Sequence, residues 1–220
     1  FDNLKGNTSP FEIKLSHKYD DNLDKIEVRM VITATATTTA SMRAQIVVVE
    51  EHIAFANPPG SNGEKDFFNV MKKMLPNENG TSLPGTINIG DSVVITESWS
   101  MKNIYDYDEV AVVAFVQNIS NKEVYQAAKS DPIAFTPVHS LNVQTLSISE
   151  LPIETCIEEV NPDFTLRNGG STTITSAEFE YSINSGATQT YNWTGSLAFN
   201  ESETVSLGSV PFALQAVNTM

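Results

Sequence analysis

The chain has 220 residues, 40% of them hydrophobic, enough to fill the core of one large or two ordinary domains. Thirteen Lys and Arg against 27 Asp and Glu leave a net charge of −14, so the phosphate-neutralising charge that dominates nucleic-acid binding is missing and an anionic membrane would repel the chain. A single Cys excludes a disulfide scaffold or a cysteine-ligated structural zinc within these residues, and no apolar run approaches the roughly 20 residues that span a bilayer.

The chain opens at Phe1-Asp2-Asn3 without an initiator Met or a leader pattern. Phe11 to Tyr19 is expected as the first strand, ended by the acidic turn Asp20-Asp21-Asn22. Asp24 to Thr35 then alternates, with Ile26, Val28, Met30, Ile32 and Ala34 on one face, a period-2 pattern that predicts a strand lining a core. Arg43 to Phe55 and Glu109 to Gln117 have nearly unbroken apolar centres and predict strands covered on both faces. The expected cover is a helix over residues 64–75, where Phe67, Phe68, Met71, Met74 and Leu75 fall at helical spacing. Ser61 and Glu64 would form its capping box, and Pro76 would stop it. If that helix packs across the sheet, Ile46 to Val49 and Val110 to Val116 are buried on both faces; a bare face would instead await another domain. Thr86 to Lys102 and Lys122 to Ala127 complete a β-sandwich over residues 1–139.

Pro132 and Pro137 make a stiff connector, after which residues 140–220 are expected to form a second sandwich of the Ig-like kind. Its strands are placed at 141–149, 160–167, 173–183, 187–194, 202–207 and 213–220, between turns at Asn161-Pro162, Asn168-Gly169-Gly170 and Asn184-Ser185-Gly186. Six strands are one short of the usual ~7, and Ala213 to Met220 stops in mid-pattern, so a last strand is expected beyond Met220. The fold class is therefore mainly β, two consecutive β-sandwich domains with one helix in the first.

The run Arg43 to Glu51, with Asp66 to Leu75, Gly90-Asp91-Ser92, Ser98-Trp99, Val113 to Gln117 and Lys122 to Ala127, resembles the outer-membrane-protein-28-related secreted proteins of Bacteroidetes over most of residues 10–130. The resemblance implies a β-rich exported module. Members of that family often carry a thioredoxin-like domain ahead of it, but no Cys-x-x-Cys occurs here. Residues 155–207, through Phe164 to Gly170, Thr175 to Asn184 and Thr190 to Gly195, resemble an Ig-like adhesion-type module of surface proteins from the same bacteria. That likeness implies cargo of the type IX secretion system, whose C-terminal sorting domain does not occur here. Neither resemblance supplies catalytic residues.

Each candidate for chemistry has a plain structural alternative. His17, His52 and His139 show no triad or metal spacing, and the Gly-x-Ser-x-Gly, Walker and His-Glu-x-x-His signatures are absent. Glu50-Glu51 and Glu158-Glu159 are adjacent carboxylates, but on strands such neighbours point to opposite faces. Asp106, Asp108 and Glu109 could share a hard cation such as Ca²⁺, as could Asp20, Asp21 and Asp24; the alternative is a solvated acidic turn, since neither has Ca²⁺-loop spacing. Tyr191 and Trp193, two apart with Tyr181 on a neighbouring strand, could form a platform for sugar stacking, against the commoner role of Trp as a core plug. Trp99 reads as core. Cys156 could pair with a Cys outside the chain or be a small buried thiol. Asn7, Asn79, Asn118, Asn192 and Asn200 head Asn-x-Ser/Thr triplets, and Asp91-Ser92-Val93 resembles a Bacteroidetes O-glycosylation triplet at Ser92.

These readings converge on an exported cell-surface or secreted protein, associated with the outer membrane, that catalyses nothing and scaffolds or binds a partner. The expected partners are other domains of the same protein or a surface or secretion component. Cofactors are not expected, Ca²⁺ apart. The alternatives are an accessory region of a larger redox or hydrolytic enzyme and a glycan-binding module.

Overall fold

The computed structural model describes residues 8–152, 157–213 and 215. The chain forms two compact units that part between Phe135 and Thr136.

The first unit contains β1 (Phe11–Tyr19), β2 (Lys25–Ala34), β3 (Thr38–Thr39), β4 (Met42–Ala54), β5 (Asp66–Leu75), β6 (Thr81–Ser82), β7 (Thr86–Ile87), β8 (Ser92–Ser100), β9 (Val110–Asn118) and β10 (Val124–Ser130). One sheet runs β1-β2-β8; the other runs β10-β9-β4-β5, with β6 also on β4, and the short β3 and β7 pair with each other. The two main sheets are antiparallel throughout. The alternation read from the sequence sets their inner faces. Ile26, Val28, Met30 and Ile32 of β2, Ile46 and Val48 of β4, and Val110, Val112, Ala114 and Val116 of β9 join one core cluster, each at most 1% exposed. β1 lies along β10 and closes that side of the sandwich: Gln126 donates to the Phe11 carbonyl, the Phe11 and Tyr125 rings touch, and His17 bonds Ser130.

The helix expected over residues 64–75 is corrected to a strand, β5, paired with β4 from Ile46↔Leu75 to Ala54↔Asp66. The helical spacing of its apolar residues comes from a β-bulge. The register shifts at Val48/Val49, so Met74 lies opposite Val47 and Met71 opposite Val49. Two methionines three residues apart thereby share one face of a strand, and the extra residue, Lys72, is re-aimed. Among the described residues no helix covers the outer face of this sheet, where Val47, Val113 and Phe115 remain half-buried, although Val49 and Ala111 are buried. Gln45, on that face, is covered by the turn at Gly80 (φ +65°), where an added Cβ would meet the Ala44 carbonyl and the Gln45 side chain.

The second unit contains β11 (Val143–Ser149), β12 (Glu159–Val160), β13 (Asp163–Asn168), β14 (Ile174–Tyr181), β15 (Gln189–Leu197), β16 (Ser202–Ser206) and β17 (Val210–Pro211). A three-stranded sheet, β11-β13-β16, and a two-stranded sheet, β14-β15, share a core of Phe164, Leu166, Ile174, Trp193, Leu197 and Val205; β12 pairs with β17. Asn168, fully buried, ties the turns of this unit together by donating to the carbonyls of Thr172 and Leu197 and accepting from the Gly170 amide. Most of the strand expected at 213–220 lies outside the described residues.

Candidate functional site

In the first unit several titratable side chains take part in structural contacts. Glu50 sits on the core face of β4 and is fully buried. One carboxylate oxygen accepts from the Tyr105 amide at 2.8 Å and the Asp106 amide at 2.7 Å. The other meets Lys72 Nζ at 2.7 Å, an ion pair rather than a well-aligned hydrogen bond. That ammonium also lies 4.8 Å from the centroid of the Tyr105 ring, a cation–π contact. The bulge in β5 delivers Lys72 to this position. From the other side the Tyr19 hydroxyl donates to the Tyr107 carbonyl at 2.8 Å, so the 101–109 segment is held at two points. Burial, then the charges of Asp108 and its neighbours, push the Tyr19 phenol well above its ordinary range. Glu51 points to the opposite face from Glu50 and pairs with Lys129. The adjacent carboxylates therefore do not converge.

The acidic Ca²⁺ candidates are built as turns. Asp106 caps a 3₁₀ turn over Tyr107–Glu109 and accepts from the Asp108 amide. Asp20 accepts from the amides of Asp24 and Lys25 and so closes the β1–β2 turn. Among the described residues no three His, Cys, Asp or Glu side chains are grouped to hold a metal ion. Asp106, Asp108 and Glu109, read from the sequence as a shared cation site, lie together on this turn, with the Asp106 carboxylate accepting from its own backbone.

His17 is buried on the core face of β1, with Nδ1 2.9 Å from Ser130 Oγ and Nε2 without a hydrogen-bond partner. Burial lowers its pKa. His52 stacks on Phe68 at 4.8 Å and bonds Asp66, at the outer strand of the sheet, and His139 is exposed. Trp99 packs against the first core. Ser92 opens β8, exposed, with its hydroxyl 2.9 Å from that of Thr33. Glu159 accepts from the Ser209 hydroxyl, and Glu158 is exposed. Cys156 and Asn7 lie outside the described residues.

The rings read from the sequence as a sugar-stacking pair, Tyr191 and Trp193, lie in and beside the second core. Trp193 is 3% exposed and belongs to the second core, where an added Cβ at Gly195 would lie 2.4 Å from its ring. Tyr191 packs edge-on against Phe164, with centroids 5.9 Å apart.

The second unit does contain an open cleft of about 480 Å³. Phe164 and Phe179, with ring centroids 4.8 Å apart, contribute to its apolar lining together with Ile148, Pro162 and Leu207. Thr145, Glu180, Ser182 and Thr188 add polar groups. Ile148 pairs with Phe164 in the sheet register and so belongs to the core face of β11, yet it is 47% exposed. The cleft lies where the three-stranded sheet's core face meets only two strands opposite it. Sequence periodicity missed it, since the signal lies in the number of strands per sheet.

No family model matches the chain, and no curated protein matches its sequence. Among solved structures it is similar to a domain of the outer membrane lipoprotein Omp28 from Porphyromonas gingivalis, at 15% identity and a TM-score of 0.42, over 57% of this chain and 90% of that one. It is also similar to red sea bream transglutaminase, at 11% identity and a TM-score of 0.33, over 96% of this chain and 28% of that one. Likenesses at these scores carry no argument about function. Among the described residues no helix is long and apolar enough to cross a membrane.

Proposed function

We propose that this chain is a non-catalytic exported protein, of the cell surface or the secreted fraction, whose β-rich units scaffold or bind a partner. The observation that supports binding is the cleft of the second unit: core-facing apolar side chains, Ile148 foremost, left accessible beside Phe164 and Phe179. An accessible apolar hollow with a few polar groups at its rim is the usual form of a ligand site. The export reading rests on the sequence resemblance of residues 10–130. A thermal-shift screen of the whole chain against peptide, oligosaccharide and fatty-acid panels tests the proposal, with Ile148→Asp run in parallel. A stabilising ligand whose effect is lost in Ile148→Asp supports it. Failure of all three panels to shift the melting temperature overturns it.

A further inference from the structure

Resting on that binding reading, we infer that the cleft takes one class of partner: an extended peptide segment that adds a strand to the outer edge of β14, with apolar side chains turned inward and basic ones outward. The first argument is shape. Four consecutive residues of β14 and its end, Phe179, Glu180, Tyr181 and Ser182, line the cleft. Successive side chains on a strand point to opposite faces, so a hollow bordered by both sets runs along the strand's edge. β14 pairs with β15 alone among the described strands. Its other edge therefore carries backbone groups without a strand to pair with, the element that strand addition uses.

The second argument is the facing wall. Thr145 and Ile148 on β11 pair with Leu166 and Phe164, and so turn toward the two-stranded sheet. The place beside β14 and above β11 is where a third strand would complete the smaller sheet. A strand laid there would bury alternate side chains against Ile148, Phe164, Phe179 and Leu207.

The third argument is charge. Residues 136–220 contain nine Asp and Glu but one basic residue, Arg167. Arg167 is 7% exposed, and its guanidinium donates twice to Gln144. Glu180 lines the cleft and Glu178 shares its strand face, two residues earlier. A second copy of the chain would bring the same excess of negative charge, and an acyl chain would use neither the strand edge nor the carboxylates. A cationic strand satisfies all three features.

The test uses the whole chain and the acetylated, amidated peptide KIKVKIK, with affinity read by calorimetric titration. Three comparisons accompany it: EIEVEIE; two KIKVKIK peptides N-methylated on alternate residues, one for each edge; and sodium laurate. Binding of KIKVKIK, at least about tenfold weaker for one N-methylated form through loss of its strand hydrogen bonds, is the expected result. Glu180→Lys should weaken KIKVKIK about threefold, as for one exposed charge contact, and bring EIEVEIE closer to it. Equal binding of all the N-methylated peptides, binding of laurate alone, preference for EIEVEIE, or no peptide binding would each overturn the inference. Laurate or sugar binding that is lost in Ile148→Asp would overturn it while leaving the broader binding reading intact.

Discussion

Replacing Glu50 by Ala should be among the most destabilising single changes in the first unit. The substitution removes the acceptor of two backbone amides and strands the Lys72 ammonium, whose side chain is only 7% exposed. Breaking a buried pair from one side costs about 3–5 kcal/mol, because the remaining charge keeps its desolvation penalty. Taking about 4 kcal/mol, and an unfolding entropy of roughly 2.1 cal/mol/K per residue, a unit of 135 residues should melt about 14 °C lower. Lys72→Met should be costly for the mirror-image reason. The double variant Glu50→Gln/Lys72→Met, which keeps an acceptor for the two amides and removes both charges, should cost less than Glu50→Gln and Lys72→Met summed, with a coupling of about 2 kcal/mol. Calorimetry on the full chain measures the loss, and hydrogen exchange read by mass spectrometry assigns it, with peptides of the second unit as internal control. A cost below about 1 kcal/mol for Glu50→Ala would show that the carboxylate does not hold the 101–109 segment, and strict additivity of Glu50→Gln with Lys72→Met would show that the buried pair is not coupled.

Three further outcomes follow from the same geometry. Burial holds the His17 imidazole below its ordinary 6.5, so the unfolded chain binds that proton more readily; the stability tied to this group is intact above pH 6.5 and falls as the pH drops below it. Urea titrations from pH 7.5 to 5 should show that slope, reduced in His17→Asn. Gly195→Ala should destabilise the second unit by about 1–3 kcal/mol through overpacking against the Trp193 ring, read as a lower midpoint in denaturant, whereas a neutral result would mean that the ring can shift. Asp106→Ala should cost about 1 kcal/mol through the lost cap and leave a Ca²⁺ titration heat unchanged.

β2 was legible because its pairings with β1 and β8 are unbroken and its alternation matches its burial residue by residue, and β4 and β9 were legible as strands from their long apolar runs, which pair with each other without a shift. The 64–75 segment was misread because the bulge adds one residue to its period, and Phe67, Phe68, Met71 and Met74 then imitate a helical stripe. Phe67, Phe68 and Val70 carried a contrary signal, since aromatic and β-branched residues favour strands. The Glu50–Lys72 pair was not legible at all. Glu50 stood out only as half of a doublet, and its partner lies 22 positions away across a register shift that no local pattern records. Trp193 was readable as core from the usual role of Trp in such sandwiches, and the Gly195 contact fits it: the ring fills space that a side chain there would need.

The nearly one-signed charge of the second unit bears on how the molecule behaves in a crowd of its own copies. The outer edge of β14 and the exposed apolar side chains of β11, Val143, Leu146 and Ile148, are features that invite sheet-to-sheet aggregation. Mutual repulsion between acidic units opposes that encounter, over a range of about 10 Å at 0.1 M salt. Colloidal stability should therefore be greatest in dilute neutral buffer and weakest near the isoelectric point of about 4.5, where carboxylate protonation dissolves the electrostatic guard around an edge that the fold leaves open.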